Sequence, residues 1–269
     1  MTSPPILTDS AALGRNRARA TAMFLQSAVA DEMQERLNEV NRRFTAPAVV
    51  TGFPEFWAQR MPDARIVPDA DTLDLTAGAH DLVIHALSLH WANDPVGQLV
   101  QARLALQPDG LLIATLFGGD TLGDLRRALA SAESHVTGGL SPRVAPMGEV
   151  RDLGSLLQRA GLALPVADST DYPVSYANPL ALMRDLRAMG EGNALNDRLR
   201  HPTRRKVFAE TARFYPMTEG RTPALFQVIT LTGWAPAATQ QQPLRPGSAR
   251  QRLADALRTD ETPLPAKDD

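Results

Sequence analysis

The chain has 269 residues, of which 43% are hydrophobic and 22% are charged, and its formal net charge is −2. These values are typical of one large or two small soluble domains, and they exclude a strong general attraction to nucleic acids or membranes. Cysteine is absent, which excludes disulfides, thiolate metal ligands and a cysteine nucleophile. The N-terminus has no long apolar run, so we expect neither a signal peptide nor an integral membrane protein, and a cytoplasmic location.

Composition divides the chain into three parts. Residues 1–20 are expected to be a flexible leader, residues 21–235 a folded domain, and residues 236–269 a tail rich in Pro, Gln and Arg with a weak helix at 249–257. The leader contains a short basic stretch formed by Arg15, Arg17 and Arg19. We interpret these arginines as the solvated start of a helix, in preference to a binding patch.

The apolar pattern of the domain is that of an α/β fold. A helical period over 23–43 predicts an N-terminal helix. Residues 81–87 and 111–117 are nearly continuous apolar runs, typical of central parallel strands, and a helix over about 94–106 connects them. This order predicts a doubly wound, mostly parallel sheet. The remaining predicted elements are strands at 48–51, 66–67, 163–167 and 224–234, and helices from 53, over 121–133 and 148–160, and within 178–214.

Several stretches resemble known proteins of this fold class. Residues 80–84, 87–91 and 106–111 are similar to the segment between the fourth and fifth strands of class I methyltransferases. Residues 117–122 and 151–161 resemble one subgroup more specifically, the methyltransferase-fold assembly factor of respiratory complex I and its bacterial relatives. Further matches to this subgroup lie at 182–186, 189–193, 223–224, 232–234 and 247–249.

The resemblance implies a Rossmann-like class I methyltransferase fold with an N-terminal helix at 21–45 and extra C-terminal helices. It divides the rest of the domain into a cofactor half over 46–117 and a substrate half with a helical insertion over 118–235. It also implies S-adenosylmethionine as the cofactor. The residues that would hold it are Gly52, Phe53, Asp69, His85, Ala86 and His90.

The cofactor half departs from the family pattern. The family has an acidic residue in the first strand and a glycine-rich turn after it, but only Gly52 is kept here. Val50 replaces the acid, and Pro54 and Phe56 replace glycines that let the backbone approach the ligand. The 29 positions from Gly52 to Asp81 hardly hold a second strand, a helix and a third strand. We therefore expect a degenerate cofactor site, in which the nearby acids either meet a ribose or are ordinary loop carboxylates.

The other candidate residues follow the two best strands, where open α/β sheets bind ligands. The catalytic candidates are His90, Trp91 and Asp120, and the substrate-binding candidates are Phe117, Gly118, Gly119, Ser141 and Arg143. His90 and Trp91 can also simply cover the end of the sheet, and Asp120 can cap the next helix. The five-residue spacing of His85 and His90 does not specify a metal site, so no metal is expected.

The resemblance implies a methyltransferase-like protein that acts on a subunit of NADH dehydrogenase during respiratory-chain assembly. If it is an enzyme, it is then a methyltransferase or an arginine hydroxylase. Two alternatives stay open. A methyltransferase of unknown substrate is supported by the intact segment 81–117, and a non-catalytic scaffold is supported by the lost glycine turn. No nucleic-acid partner is expected.

Overall fold

A computed structural model describes residues 6–240, with one six-stranded sheet in the order β2-β1-β3-β4-β6-β5. The strands are β1 (Pro47–Thr51), β2 (Arg65–Pro68), β3 (His80–Ala86), β4 (Leu106–Phe117), β5 (Ala163–Tyr176) and β6 (Thr222–Trp234). The helices are α1 (Ser10–Arg17), α2 (Phe24–Glu39), α3 (Pro54–Arg60), α4 (Pro95–Ala105), α5 (Gly123–Thr137), α6 (Val150–Arg159), α7 (Pro179–Ala188) and α8 (Arg205–Phe214). None of these helices is long and apolar enough to cross a membrane. The predicted tail helix at 249–257 lies outside the described residues.

The four strands β2, β1, β3 and β4 are parallel, and β6 runs antiparallel to both β4 and β5. The predicted doubly wound, mostly parallel sheet is therefore confirmed. Since the carboxyl ends of β1, β3 and β4 lie at one edge, this edge is where the fold can hold a ligand.

Side chains of the central strands alternate between two apolar cores. Leu82 and Ile84 of β3 face the core formed with α2, α3, α5 and α7. Val83 of β3 faces the core formed with α4 and α6, as does Val50 of β1. This alternation follows from the two-residue period of a strand, and it explains why both strands are apolar nearly throughout. Val50 is fully buried in the second core, so the residue that replaces the family's acid is a packing residue.

The segment between β1 and β3 is as short as the sequence suggests. It contains α3 and β2, and the residues from Asp69 to Ala79 form no further strand or helix. Leu73 of this loop is buried against the core under α4. The sheet therefore ends at β2, and a third strand of the cofactor half is missing.

Two predicted elements differ from the observed ones. Within the expected leader, residues 10–17 form helix α1, which is short and buries only Ala12 and Leu13. Its apolar face is too small to give a helical period in the sequence. Strand β5 extends to Tyr176, beyond the predicted end at 167, because its polar and apolar residues alternate at the edge of the sheet. Pairing with β6 over its whole length extends the strand.

Candidate functional site

A cavity of about 660 Å³ lies at the carboxyl ends of β3 and β4. Its walls come from the 3₁₀ turn Leu89–Trp91, from α5 and α7, and from the segments 143–147 and 188–193. Most of the lining is apolar or aromatic, with a few polar groups among it. A concave apolar site with few polar groups is the usual form of a ligand site, so we take this cavity as the candidate functional site.

The polar end of the cavity consists of His90, Trp91 and Glu191. The carboxylate oxygen Oε2 of Glu191 accepts hydrogen bonds from Trp91 Nε1 at 2.7 Å and from His90 Nε2 at 3.2 Å. The side chains of His90 and Glu191 are only 2% and 7% exposed. Two donors on one oxygen fix the plane of this buried carboxylate. Among residues 6–240, the other oxygen, Oε1, has no hydrogen-bond partner.

The hydrogen bonds of His90 assign its tautomer. The backbone N–H of Phe117 donates to His90 Nδ1 at 3.4 Å, so Nδ1 is an acceptor and the hydrogen is on Nε2. The Nε2–H is then available to donate to Glu191. Burial acts to raise the pKa of Glu191, but His90, Arg17 and the Trp91 N–H together outweigh it and hold this pKa below its usual value. The cavity therefore contains an ionised carboxylate.

Aromatic rings line the wall beside this carboxylate. The ring centroids of His90 and Phe117 are 4.6 Å apart, and those of Phe117 and Phe226 are 5.9 Å apart. The His90 and Trp91 rings lie 5.7 Å apart. A fixed carboxylate next to aromatic faces is suited to a planar cation, which pairs with the oxygen and stacks on the rings.

The predicted substrate residues are only partly brought together. Phe117 and Arg143 line the cavity, but Arg143 donates from Nε and Nη2 to Glu133 at 3.0 and 2.6 Å. Ser141 also donates to Glu133, at 2.8 Å, and does not line the cavity. Burial acts to raise the pKa of Glu133, and these hydrogen bonds outweigh it and lower the pKa. In this structure Ser141 and Arg143 therefore hold an internal carboxylate, and their predicted contact with a substrate stays a prediction.

The glycines after β4 serve packing and not a ligand. The N–H of Gly118 donates to Gln227 O at 3.1 Å, and that of Gly119 to Gly148 O at 2.9 Å. A Cβ at Gly118 would collide with Ile229 of β6, and one at Gly119, where φ is +51°, would collide with Gln227. The backbone at these two glycines is therefore in close contact with β6 and with the loop at 148.

Asp120 has neither of its expected roles. Its side chain is exposed and does not line the cavity. It does not cap α5 either, because the N-cap of that helix is Leu122, in a left-handed conformation with φ of 55°. Leu122 instead lines the cavity. The loop turns through Leu122 because Thr121, which is buried, hydrogen-bonds both Gly118 O and Gln227 O.

Three of the predicted cofactor residues meet at the ends of β1 and β2, and Arg17 of α1 lies among them. Arg17 Nη1 is 2.8 Å from both carboxylate oxygens of Asp69. A Cβ at Gly52 would lie 2.5 Å from Arg17 Nε and Nη1, so the guanidinium takes the space beside this glycine. Its carbon is 5.8 Å from the centroid of the Phe53 ring. Only 9% of the Arg17 side chain is exposed, so its interpretation as a solvated residue is wrong.

His85 and Ala86 are fully buried in β3. His85 Nε2 contacts Gln98 Oε1 at 2.6 Å, and Ser88 Oγ is 3.2 Å from His85 Nδ1. Burial lowers the pKa of His85, and the bond to Gln98 offsets this only in part. Gln98 also donates to Ala70 O at 3.1 Å, which holds the loop after Asp69. His85 therefore faces α4, away from the cavity, and through Gln98 it helps to hold the loop at the edge of the sheet.

The residues present do not fit S-adenosylmethionine in the manner of the family. The glycine turn is replaced by α3, which begins at Pro54 directly after β1. The acid after β2, Asp69, is already paired with Arg17. Phe53, which is buried at 7% exposure, occupies the place of the family's glycine-rich turn. The site thus lacks the acid that Val50 replaces, and the carboxylate available to a ribose is already occupied by Arg17.

The structure gives no metal centre among residues 6–240, because no three His, Asp or Glu side chains converge there. His85 and His90 make separate hydrogen bonds, to Gln98 and to Glu191. The two histidines therefore lie on opposite sides of the sheet.

Two functional residues escape prediction from the sequence. Glu191 is 101 positions from His90, and no local motif links them. The stretch Met189-Gly190-Glu191 does match the subgroup, and this match is the signal that could have identified Glu191. Arg17 stands in a short basic stretch, and such a stretch indicates a solvated surface when no tertiary contact is known.

No family model matches the sequence. The mitochondrial arginine-hydroxylase NDUFAF5 of Rattus norvegicus is 37% identical over 205 residues, which are 75% of this chain and 60% of that protein. The same protein of Homo sapiens is 38% identical over 192 residues, 70% of this chain and 56% of that one. Malonyl-[acyl-carrier protein] O-methyltransferase of Xylella fastidiosa is 36% identical over 180 residues, 66% of this chain and 59% of that enzyme. The chain thus spans about three fifths of the length of the curated relatives it matches.

Solved structures agree on the fold. A Bacillus halodurans protein with a provisional methyltransferase assignment superposes with a TM-score of 0.50 and 12% identity, over 76% of this chain and 98% of that chain. At this identity the likeness shows the fold alone. Together with the relatives above, it confirms the predicted fold and the predicted resemblance to these proteins. The chain has the class I methyltransferase fold, and its sequence is similar to that of the arginine-hydroxylase NDUFAF5.

Proposed function

We propose that this protein is a methyltransferase-like factor that acts on a subunit of NADH dehydrogenase during respiratory-chain assembly, in the cytoplasmic compartment. Its cavity receives an arginine side chain of that subunit. The observation that carries the proposal is the buried carboxylate of Glu191, with one oxygen left for a ligand beside an aromatic wall. The relatives named arginine-hydroxylase support the choice of arginine as the group that is bound.

The chemistry of the cavity favours a guanidinium over other cations. A guanidinium is planar, so one face can stack on an aromatic ring of the wall while an N–H points at Glu191 Oε1. It is weakly hydrated and always charged, so it enters an apolar cavity at lower cost than an ammonium ion. The residues of this chain thereby bind and orient the arginine and shield it from water.

Methyl transfer is the second candidate, because malonyl-[acyl-carrier protein] O-methyltransferases are similar to the chain at 31–36% identity. It requires S-adenosylmethionine, and the contact between Arg17 and Asp69 argues against that cofactor. We therefore expect calorimetric titration of the purified protein with S-adenosylmethionine to show no binding at millimolar concentration. Measurable binding at the edge of β1 would favour methyl transfer and would contradict our assignment of Arg17.

The test of arginine binding uses a short peptide with one central arginine and its counterpart with citrulline, which is neutral and of the same shape. We expect the arginine peptide to bind and the citrulline peptide to bind much more weakly. Glu191→Gln keeps the shape and removes the charge, and it should weaken binding about 10- to 100-fold, as expected for a lost hydrogen bond to a charged group. Glu149→Gln, an exposed acid outside the cavity, is the matched control.

Equal affinity for the two peptides, or an unchanged affinity of Glu191→Gln, would exclude arginine as the bound group. The cellular role has its own test. In a deletion strain we expect less assembled NADH dehydrogenase and a change in the arginine modification of one subunit, measured by mass spectrometry. Normal assembly and unchanged modification would overturn the assembly role.

A further inference from the structure

The mouth of the cavity is positively charged. Arg19, which follows α1, and Arg184 and Arg187 of α7 line the cavity and are exposed. None of the three has a carboxylate within 4 Å in the part of the chain that the structure describes. Arg19 donates only to the backbone oxygen of Arg15, at 2.9 Å. Three charges without partners thus surround one opening.

Two other arginines near the cavity, in contrast, are paired with carboxylates. Arg17 is paired with Asp69, and Arg143 with Glu133, and all four side chains are largely buried. The charge at the mouth is therefore not a general excess, since the whole chain has a net charge of −2. The positive charge is a local feature of the mouth, and the three arginines without an ion-pair partner are exposed to an incoming ligand.

Helix stability explains only one of these residues. Arg187 lies in the last turn of α7, where a cation interacts favourably with the helix dipole. Arg184 is three residues earlier, on the same side of the helix. Arg19 belongs to a different segment, so neither its charge nor its position follows from α7. The convergence of two chain segments on one opening indicates recognition of something negative.

We infer that the mouth binds acidic residues that flank the arginine of the partner segment, an inference that rests on the proposed function. A guanidinium approaching Glu191 must pass Arg19, Arg184 and Arg187, which repel it. Carboxylates on either side of the substrate arginine remove this repulsion and place the side chain over the cavity. The partner is accordingly an acidic protein segment with a central arginine. Its acidic flanking residues contact the mouth before the arginine enters the cavity.

Four peptides of equal length test this inference with the full chain. Two carry a central arginine, with either Asp and Glu or Ser and Gln as its neighbours, and two carry citrulline in the same contexts. We expect the acidic arginine peptide to bind about threefold to tenfold more tightly than the neutral one at low salt, the gain that a few exposed ion pairs give. This advantage should disappear at high salt, since such pairs are screened.

The double variant Arg184→Gln/Arg187→Gln should lose the advantage of the acidic peptide. It should bind the neutral arginine peptide at least as tightly as the wild type does, because two charges that repel the guanidinium are removed. Arg151→Gln/Arg159→Gln removes the same charge from the exposed side of α6 and should leave the advantage intact. An acidic advantage that survives in the α7 variant, or is absent in the wild type, overturns the inference while arginine binding stands.

The citrulline peptides separate the two proposals. If the acidic citrulline peptide binds as tightly as the acidic arginine peptide, the mouth recognises acidic groups but the cavity does not recognise arginine. This result would fit an acidic carrier protein and would overturn the inferred partner. If none of the peptides binds, both proposals are wrong.

Discussion

The buried ion pair between Arg17 and Asp69 gives the sharpest prediction about this fold. Nη1 of Arg17 lies 2.8 Å from each carboxylate oxygen, and the two side chains are 9% and 12% exposed. Removing one partner leaves the other charge buried without compensation, which costs about 3–5 kcal/mol. We therefore expect Arg17→Met and Asp69→Asn each to lower the free energy of unfolding by about this amount.

The double variant should be far less destabilised than the two single variants predict. Two donors of Arg17, Nε and Nη2, are already buried without a hydrogen-bond partner, so the native pair itself carries a cost of desolvation. Replacing both charges removes this cost, and neutral replacement of a buried pair is often harmless. We expect a total loss of about 0–2 kcal/mol for Arg17→Met/Asp69→Asn, and hence a coupling energy of several kcal/mol.

Urea unfolding followed by circular dichroism measures these free energies in a double-mutant cycle. The exposed pair of Arg65 and Asp74 is the matched control, since its side chains are 46% and 83% exposed. Its cycle should give less than about 1 kcal/mol. If the variants at Arg17 and Asp69 lose less than about 1 kcal/mol each and their effects add, the guanidinium is solvated. Our reason for excluding the family's cofactor would then fail.

Three further predictions concern the sheet and its loops. Burial lowers the pKa of His85, so the unfolded chain binds a proton more readily than the folded chain as the pH falls through about 6.5. Between about pH 7 and pH 5.5 the wild type should therefore lose more stability than His85→Gln. Equal losses would contradict the lowered pKa. Glu133 has a lowered pKa, so its ionised form stabilises the fold above about pH 4.5, and this stabilisation is lost as the pH falls through the pKa of the folded state. Glu133→Gln should be less stable at neutral pH, and its urea midpoint should fall less on acidification than that of the wild type. An equal fall in both proteins would contradict the pairing of Glu133 with Arg143. Gly118→Ala should cost about 1–3 kcal/mol in thermal or urea unfolding, because its Cβ would collide with Ile229 of β6 and lie 2.9 Å from Gly148 O. Gly14→Ala, with nothing within 4 Å, should be neutral or stabilising. A tolerated Gly118→Ala would show that β6 and the loop at 148 can move away.

The parts of the fold that sequence predicts well are those where local pattern and burial agree. Strands β3 and β4 are apolar runs because both faces are covered, and Asp94 caps α4 by accepting from the Gly97 N–H at 2.7 Å. The outer part of β5 was not predicted, because its partly exposed residues have no apolar run and the strand depends on pairing with β6.

The site was predicted only where its residues follow a strand. His90, Trp91 and Phe117 were found because the ends of parallel strands hold ligands in this fold class. Glu191 lies in a stretch that matches the subgroup, but the sequence assigns it no role, because only the folded chain brings it next to His90. The contact of Ser141 and Arg143 with Glu133 could not be predicted, because in the sequence this internal carboxylate resembles a solvated helix residue.

Helix α1 sets the size of the smallest fragment that can be studied. Asp9 caps this helix through the Ala12 N–H and pairs with Arg198 and Arg200, so the N-terminal segment is fastened to the segment that follows α7. Asn16 of the same helix forms part of the cavity wall, and Arg17 neutralises Asp69. A truncation that begins at α2 would therefore open the cavity and leave a buried charge at once. Leu7 and Thr8 also donate backbone hydrogen bonds to Asn93, so fusion junctions and affinity tags should be placed ahead of Leu7.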